Sequence, residues 1–268
     1  MSGQGHVGDQ LWQQVYVGDK LASAVYLGTN HIWGPQVGDP IDFIEGSLGT
    51  ARNASTGTNK SAIGTMSIPE DDFDRFAVAY VAISHDNWIN SVGAYGTFTL
   101  TSHLDGPFTR LDTALFGRGG NASRTSRQGS VTPFVLRNPT VGLHTVTAFC
   151  SPSQWINCIE FQVMAYKNVL AVSSVNVQIT DTANYLTLPK ACTVNDVTLC
   201  GVAHDRLTLS GFSYPQRGST LGGSVKGRAD YLTVLEAGLG HSPFVTFEST
   251  TQAILGAAAL NLIGYPQS

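Results

Sequence analysis

The sequence predicts an all-β protein, in which a small N-terminal β-hairpin or meander precedes one large antiparallel β-sandwich of jelly-roll-like type. Many short runs of β-branched and aromatic residues alternate with turn-forming clusters, and almost no segment shows helical periodicity. The 29 glycines among 268 residues exceed average usage and fit frequent tight turns. A chain of this length can bury a substantial core.

The first predicted element is a repeat of period ten between residues 7 and 33. Its three lines are VGDQLWQQVY, VGDKLASAVY and LGTNHIW. The Gly-Asp and Gly-Thr-Asn steps are typical of hairpin turns, because glycine accepts the positive φ that such turns require. Residues 1–36 are therefore predicted to form a β-meander. A unit this small is not firmly stable alone, so we expect it to dock on its own domain or on another chain through its aromatic residues, Trp12, Tyr16, Tyr26 and Trp33.

Residues 37–66 are predicted to be a Gly/Ser/Thr-rich linker or loop. Within them, residues 45–65 are either a long surface loop or poorly hydrophobic edge structure. Residues 67–268 are predicted to form the sandwich. Its strands are expected at 76–84, 96–102, 131–137, 144–150, 158–167, 176–180, 198–204, 231–236, 244–248 and 252–262. The last segment is rich in alanine and also fits a helix, but its alternating pattern favours a strand.

The composition argues against several classes of protein. A net charge of −4 gives no reason to expect nucleic-acid binding. The N-terminal residues lack the features of a signal peptide, and the longest apolar run, Phe76 to Ile83, is far shorter than the roughly 20 residues of a membrane-spanning helix. We therefore expect synthesis in a cytoplasm and no membrane insertion. Because only 13% of residues are charged, the surface must rely on uncharged polar groups or be partly covered by neighbouring subunits.

The four cysteines form two pairs of equal spacing, Cys150/Cys158 and Cys192/Cys200. Seven intervening residues is the wrong separation for a zinc site, and disulfides are rare in a reducing cytoplasm. The pattern therefore favours buried thiols on strands.

No catalytic motif occurs in the chain. An acidic cluster offers carboxylates for glycoside hydrolysis, and two His-Asp steps offer a general base or metal ligands, but solvated turns explain both patterns better. These residues are Glu70, Asp71, Asp72, Asp74, His85, Asp86, His204 and Asp205. We therefore predict no catalytic residue, no metal ligand and no cofactor.

Two further groups allow binding to an outside partner. Four arginines around a Gly/Ser-rich segment, Arg118, Arg124, Arg127 and Arg137, can contact an acidic surface, although a solvated loop is the simpler explanation. Three aromatic residues, Trp88, Tyr95 and Trp155, can stack on sugars, with core or interface packing as the default.

The repeat lines resemble the N-terminal region of minor tail proteins from phages of actinobacteria, which commonly carry tandem V-Y-hydrophobic-G lines that end in Ile/Val-Trp. The similarity covers about a tenth of the chain and lies in residues 15–21, 25–28 and 32–34. More loosely, residues 140–147 and 164–169 are similar to two strands of the β-sandwich domains of these proteins.

The resemblance implies a non-enzymatic virion protein in the phage tail or tail tip, in contact with other tail proteins and with copies of itself. A symmetric oligomer is expected, and a trimer is one arrangement that fits. The sequence leaves open a glycan-binding adhesin for the host cell wall, a capsid decoration protein and, last, a wall-degrading enzyme. The absence of a collagen-like tract and of a long fibre segment favours a compact structural or adhesion-supporting subunit over a receptor-binding one.

Overall fold

A computed structural model describes residues 16–17, 20–21, 25–27, 30–33, 39–69, 74–85, 95–116, 128–151, 156–173, 176–180, 185–187, 196–204, 209–210, 216–222, 231–237, 244–247 and 255–265. Every regular element in these ranges is a β-strand, which confirms the all-β prediction. Residues 255–264, for which a helix was the alternative, also form a strand.

Two hairpins lie at the N-terminus. Strand β1 (Tyr16–Val17) pairs with β2 (Lys20–Leu21), and β3 (Val25–Leu27) pairs with β4 (Asn30–Trp33). The strands of each hairpin flank a predicted turn, Gly18-Asp19 in the first and Gly28-Thr29 in the second. Within the described residues the two hairpins are separate two-stranded sheets and not a continuous meander.

The other strands are, in chain order, β5 (Asp42–Phe43), β6 (Gly49–Asn53), β7 (Lys60–Ile68), β8 (Phe76–His85), β9 (Thr97–Ser102), β10 (Gly106–Pro107), β11 (Thr109–Arg110), β12 (Ala114–Phe116), β13 (Gln128–Arg137), β14 (Gly142–Ser151), β15 (Ile156–Lys167), β16 (Val169–Val172), β17 (Asn176–Thr180), β18 (Tyr185–Thr187), β19 (Val197–His204), β20 (Leu209–Ser210), β21 (Gln216–Gly222), β22 (Tyr231–Ala237), β23 (Phe244–Phe247) and β24 (Leu255–Gly264). All ten strands expected in the sandwich are present.

Three antiparallel sheets make up most of the protein. The outer sheet has the order β10-β9-β14-β7. The central sheet has the order β11-β13-β8-β15-β5, with β12 also on β13 and β6 also on β15. The C-terminal sheet has the order β16-β24-β19-β22-β21, with β17 also on β24, and a small further sheet has the order β18-β23-β20.

The central sheet is buried on both faces. Alternate residues of β8 point in opposite directions: Ala77, Ala79, Val81 and Ile83 lie in a core shared with the outer sheet, whereas Phe76, Val78, Tyr80 and Ala82 lie in a second core shared with the C-terminal sheet. A strand that is apolar on both faces requires a covering layer on each side. The three sheets therefore stack as three layers, where the sequence predicts one sandwich.

Hydrogen bonds from the central sheet cross the second core to the C-terminal sheet. The Tyr80 hydroxyl donates to the Leu199 carbonyl oxygen at 2.9 Å. The Gln162 amide donates to the Leu232 carbonyl oxygen at 2.8 Å, and the Tyr166 hydroxyl donates to Glu236 Oε2 at 2.7 Å. Each bond satisfies a polar group between layers, so these contacts fix how the two sheets lie on each other.

Within residues 42–68 the strands β5, β6 and β7 are edge strands, joined by short irregular segments. Strands β5 and β6 pair with β15 at one edge of the central sheet, and β7 pairs with β14 at the edge of the outer sheet. A Cβ atom on Gly64 of β7 would lie only 2.8 Å from the Thr50 carbonyl oxygen of β6. Glycine thus allows the edges of two layers to approach closely. The domain boundary expected after residue 66 lies inside β7.

The three described cysteines are buried thiols on strands β14, β15 and β19, as predicted. Cys192, the remaining one, lies outside the described residues. Burial raises the pKa of Cys150 to about 12 and also raises the pKa of Cys200. A buried thiol with a raised pKa forms little of the reactive thiolate at neutral pH.

We therefore expect Cys150, Cys158 and Cys200 to resist alkylation in the native protein. The measurement is peptide mapping by mass spectrometry after brief treatment with iodoacetamide at neutral pH. The same treatment in denaturant, where all four thiols should react, is the control. Fast labelling of any of the three in native protein would contradict the described burial.

Candidate functional site

Three of the four aromatic residues predicted to dock on another surface lie on the N-terminal hairpins. Tyr16 is in β1 opposite Leu21, Tyr26 is in β3, and Trp33 ends β4. Trp12 lies outside the described residues. The hairpins thus place Tyr16, Tyr26 and Trp33 on strands, as the repeat predicts, and their docking role stays a prediction.

The acidic and His-Asp patterns are described only in part. Asp74 has a φ of 47°, and its carboxylate accepts a hydrogen bond from the Tyr265 hydroxyl at 2.9 Å. This hydrogen bond therefore connects the segment that precedes β8 with the residue that follows β24. His85 ends β8 and His204 ends β19. Glu70, Asp71, Asp72, Asp86 and Asp205 lie outside the described residues.

The groups that the sequence offered for outside partners are also only partly described. Tyr95 is fully buried and packs against Phe98, with ring centroids 5.7 Å apart, so it belongs to the core and cannot stack on a sugar. The Arg137 guanidinium lies over the Phe76 ring, 6.0 Å from its centroid. Arg118, Arg124, Arg127, Trp88 and Trp155 lie outside the described residues.

A polar network joins two loops at one end of the outer sheet. Ser102 Oγ lies 2.8 Å from His144 Nδ1, and His144 Nε2 lies 2.6 Å from the Thr140 carbonyl oxygen. Because a carbonyl oxygen can only accept, we assign the ring proton to Nε2, so Nδ1 accepts from the serine hydroxyl. Ser102 Oγ in turn accepts from the backbone N–H groups of Leu104 and Asp105.

Asp105 completes this network from the turn between β9 and β10. Its carboxylate accepts from the backbone N–H of Thr140 at 3.1 Å and from the Thr140 hydroxyl. It also approaches His144 Nδ1 at 3.5 Å. The network therefore clamps the turn after β9 to the loop before β14.

Serine, histidine and aspartate are the residue types of a nucleophilic triad, but the geometry here differs. In a triad the serine and the aspartate contact opposite nitrogens of the ring, so that the histidine can take the serine's proton. Here Ser102 and Asp105 both approach Nδ1, and Nε2 is occupied by a backbone carbonyl. Ser102 and His144 are also buried. The arrangement stabilises loops and does not present a nucleophile.

The clamp leads to a prediction about stability. Replacing Ser102 with alanine should cost about 1–3 kcal/mol of unfolding free energy, because buried donors and an acceptor lose their partner. Urea unfolding of the purified protein would measure it. Thr99→Ala, on the other face of the same strand, is the matched control and should cost clearly less. If both variants lost the same free energy of unfolding, the network would stabilise the protein no more than the exposed-face side chain of Thr99 does.

A second polar group lies within the core between the central and C-terminal sheets. Glu160 of β15 stands directly opposite Arg52 of β6, and Arg52 Nε lies 3.4 Å from Glu160 Oε2. The glutamate side chain is 1% exposed and the arginine side chain 22% exposed. An ion pair in this position fixes the register of the edge strand β6 on β15, since a one-residue slip would bury an unpaired charge.

The solvent-facing side of the outer sheet carries no charged residue on its three long strands. We call these twelve residues the neutral face: Ser61, Ile63, Thr65, Ser67, Thr97, Thr99, Thr101, Leu143, Thr145, Thr147, Phe149 and Ser151. Ile63 and Leu143 are 62% and 64% exposed. Pairing places Ile63 beside Thr147 and Leu143 beside Ser67, so hydroxyl and apolar groups are interspersed over one surface.

Comparison of the chain with protein families, with curated proteins and with solved structures found no match. In the described part of the chain, no helix is long and apolar enough to cross a membrane. Nor do the described residues bring together three or more His, Cys, Asp or Glu side chains that could hold a metal ion.

Proposed function

We propose that this chain is a structural component of a tailed bacteriophage virion, a minor tail protein that contributes to tail assembly and to contact with the host surface. The observation that carries the proposal is the N-terminal repeat, which resembles the corresponding region of such proteins. The strands of both hairpins flank the turn residues of consecutive repeat lines, so the repeat corresponds to a structural unit.

The body of the protein supports a role in assembly. The body is a stack of antiparallel sheets, and a neighbouring subunit could cover the neutral face without removing a charge from water. Interface centres are likewise depleted in charged residues. The polar network at Ser102, His144 and Asp105 stabilises loops, which is consistent with a non-enzymatic subunit.

Immunogold labelling of purified phage particles, with antibody raised against this chain, tests the proposal. Gold at the distal tail is the expected result, and labelling blocked by added pure protein is the control. Gold over the head would instead assign the chain to capsid decoration. Absence of the chain from purified particles by mass spectrometry would refute a virion role.

A further inference from the structure

We propose that the neutral face receives the N-terminal segment, residues 1–36, of a second copy of this chain. The inference rests on the proposed function, because it names the surface through which one subunit binds the next.

The neutral face has the properties of a receiving surface. Its apolar side chains Ile63 and Leu143 are largely exposed in the single chain, although both lie on strands of a well-packed sheet. The surrounding serine and threonine hydroxyls can form hydrogen bonds with a partner, and covering them requires no charge to leave water. Interface centres are depleted in charged residues in the same way.

The incoming segment matches this surface in composition. Residues 1–36 contain only three charged residues, Asp9, Asp19 and Lys20, and they carry the aromatic residues Trp12, Tyr16, Tyr26 and Trp33. Aromatic side chains are enriched in interfaces. Two-stranded hairpins are marginally stable in isolation, so the segment gains stability when it packs on another surface.

The size of the face favours this occupant over the same face of another copy. The three strands have nine, six and ten residues. With spacings of about 4.8 Å between strands and 3.3 Å along them, they cover roughly 400 Å². A stable interface of standard size needs about 800 Å² on each partner. In a face-to-face pair each copy would make only one such small contact, and its neutral face would then be occupied, so no further copy could add to the contact area. A segment-to-face contact is heterologous, so it can repeat around a closed ring in which every subunit makes two contacts.

Two full-length variants test the inference. The face variant carries Ile63→Glu and Leu143→Glu. The segment variant carries alanine in place of Trp12, Tyr16, Tyr26 and Trp33. Sedimentation velocity over a range of concentrations should show an oligomer for the unchanged protein and a monomer for each variant alone. An equimolar mixture of the two variants should form a heterodimer at the highest concentrations, because each supplies the half of the contact that the other lacks. This heterodimer should be weaker than the unchanged oligomer, because it has one contact where each subunit of a ring has two.

Controls separate binding from folding. Val177→Glu changes an apolar residue on the C-terminal sheet that is 43% exposed, and it should leave the oligomer intact. Thermal unfolding should show each variant folded, and the milder pair Ile63→Thr and Leu143→Thr, which matches the residues already on the face, should weaken the oligomer without loss of fold.

Several results would overturn the inference. One is an unchanged protein that stays monomeric at all concentrations. Another is a face variant or a segment variant that still forms the normal oligomer. The last is a pair of monomeric variants that fail to associate when mixed. Gold labelling of particles is independent of these results, so a failed docking experiment leaves the proposed virion role standing, and a negative labelling result leaves the docking surface standing.

Discussion

Replacing Gly201 with valine should destabilise the protein by about 3 kcal/mol or more, since overpacking of a tightly packed core has costs of this order. Gly201 lies in β19, and a Cβ atom there would lie 2.9 Å from Cβ of Tyr80 and still closer to its ring. Tyr80 is fully buried, and its hydroxyl is held by the Leu199 carbonyl oxygen at 2.9 Å. The ring cannot move aside without breaking that bond, so the central and C-terminal sheets must separate.

Urea unfolding of Gly201→Val, and of Gly201→Ala where expression is poor, would measure the loss. Gly57→Ala is the matched control, because a Cβ atom there meets only the flexible Lys60 side chain, at 3.4 Å, and little change is expected. In a Tyr80→Leu background the cost of Gly201→Ala should fall, since the two positions share one contact. A Gly201→Ala variant as stable as Gly57→Ala would show that the two sheets do not pack as described.

Replacing Arg52 with leucine should cost about 3 kcal/mol, at the lower end for a broken buried ion pair because the arginine is partly exposed. The substitution removes a cation from beside a carboxylate that is 1% exposed. We expect the double variant Arg52→Leu/Glu160→Leu to lose much less than the sum of the two single variants, because apolar side chains can replace a buried pair at little cost.

A complete double-mutant cycle followed by urea unfolding would measure this coupling. The comparison is Asp42→Asn, which breaks the Lys167–Asp42 pair at 3.7 Å, where the side chains are 35% and 63% exposed. A change within about 1 kcal/mol is expected there, because water already screens the charges. Additive losses at Arg52 and Glu160 would mean that the pair does not hold β6 in register.

Long strands with a clear apolar or alternating pattern could be predicted from the sequence, whereas the Gly- and Ser-containing strands β6 and β7 could not. Residues 76–83 form a continuous apolar run, and the strand there was predicted, but the same run also indicates burial on both faces and hence a third layer. In β15 that indication was hidden, because Glu160 and Gln162 interrupt the apolar pattern on one face. In β6 and β7 the glycines needed for close approach of two edges made the segment resemble a linker.

The loop network could not be predicted because it has no local motif. Ser102 and His144 are 42 residues apart, and only the pairing of β9 with β14 brings them together. The neutral face could be predicted more easily from the sequence. In residues 97–101 the threonines alternate with the buried Phe98 and Leu100, and in residues 143–151 the odd-numbered positions alternate with buried ones. Recognising one face required only that these strands be assigned to one sheet.

The burial of the central sheet on both faces also has a consequence for the chain while it is being synthesised. Strands β8 and β15 leave the ribosome before β19, β22 and β24, which later cover Tyr80, Met164 and Tyr166. Some 90 residues separate the end of β16 from the end of β24, which takes roughly 5–20 s of translation. During that interval an apolar sheet face is open to other nascent chains. Early termination of translation would leave it open permanently, so products that end before residue 197 should aggregate, whereas the complete chain should stay in solution.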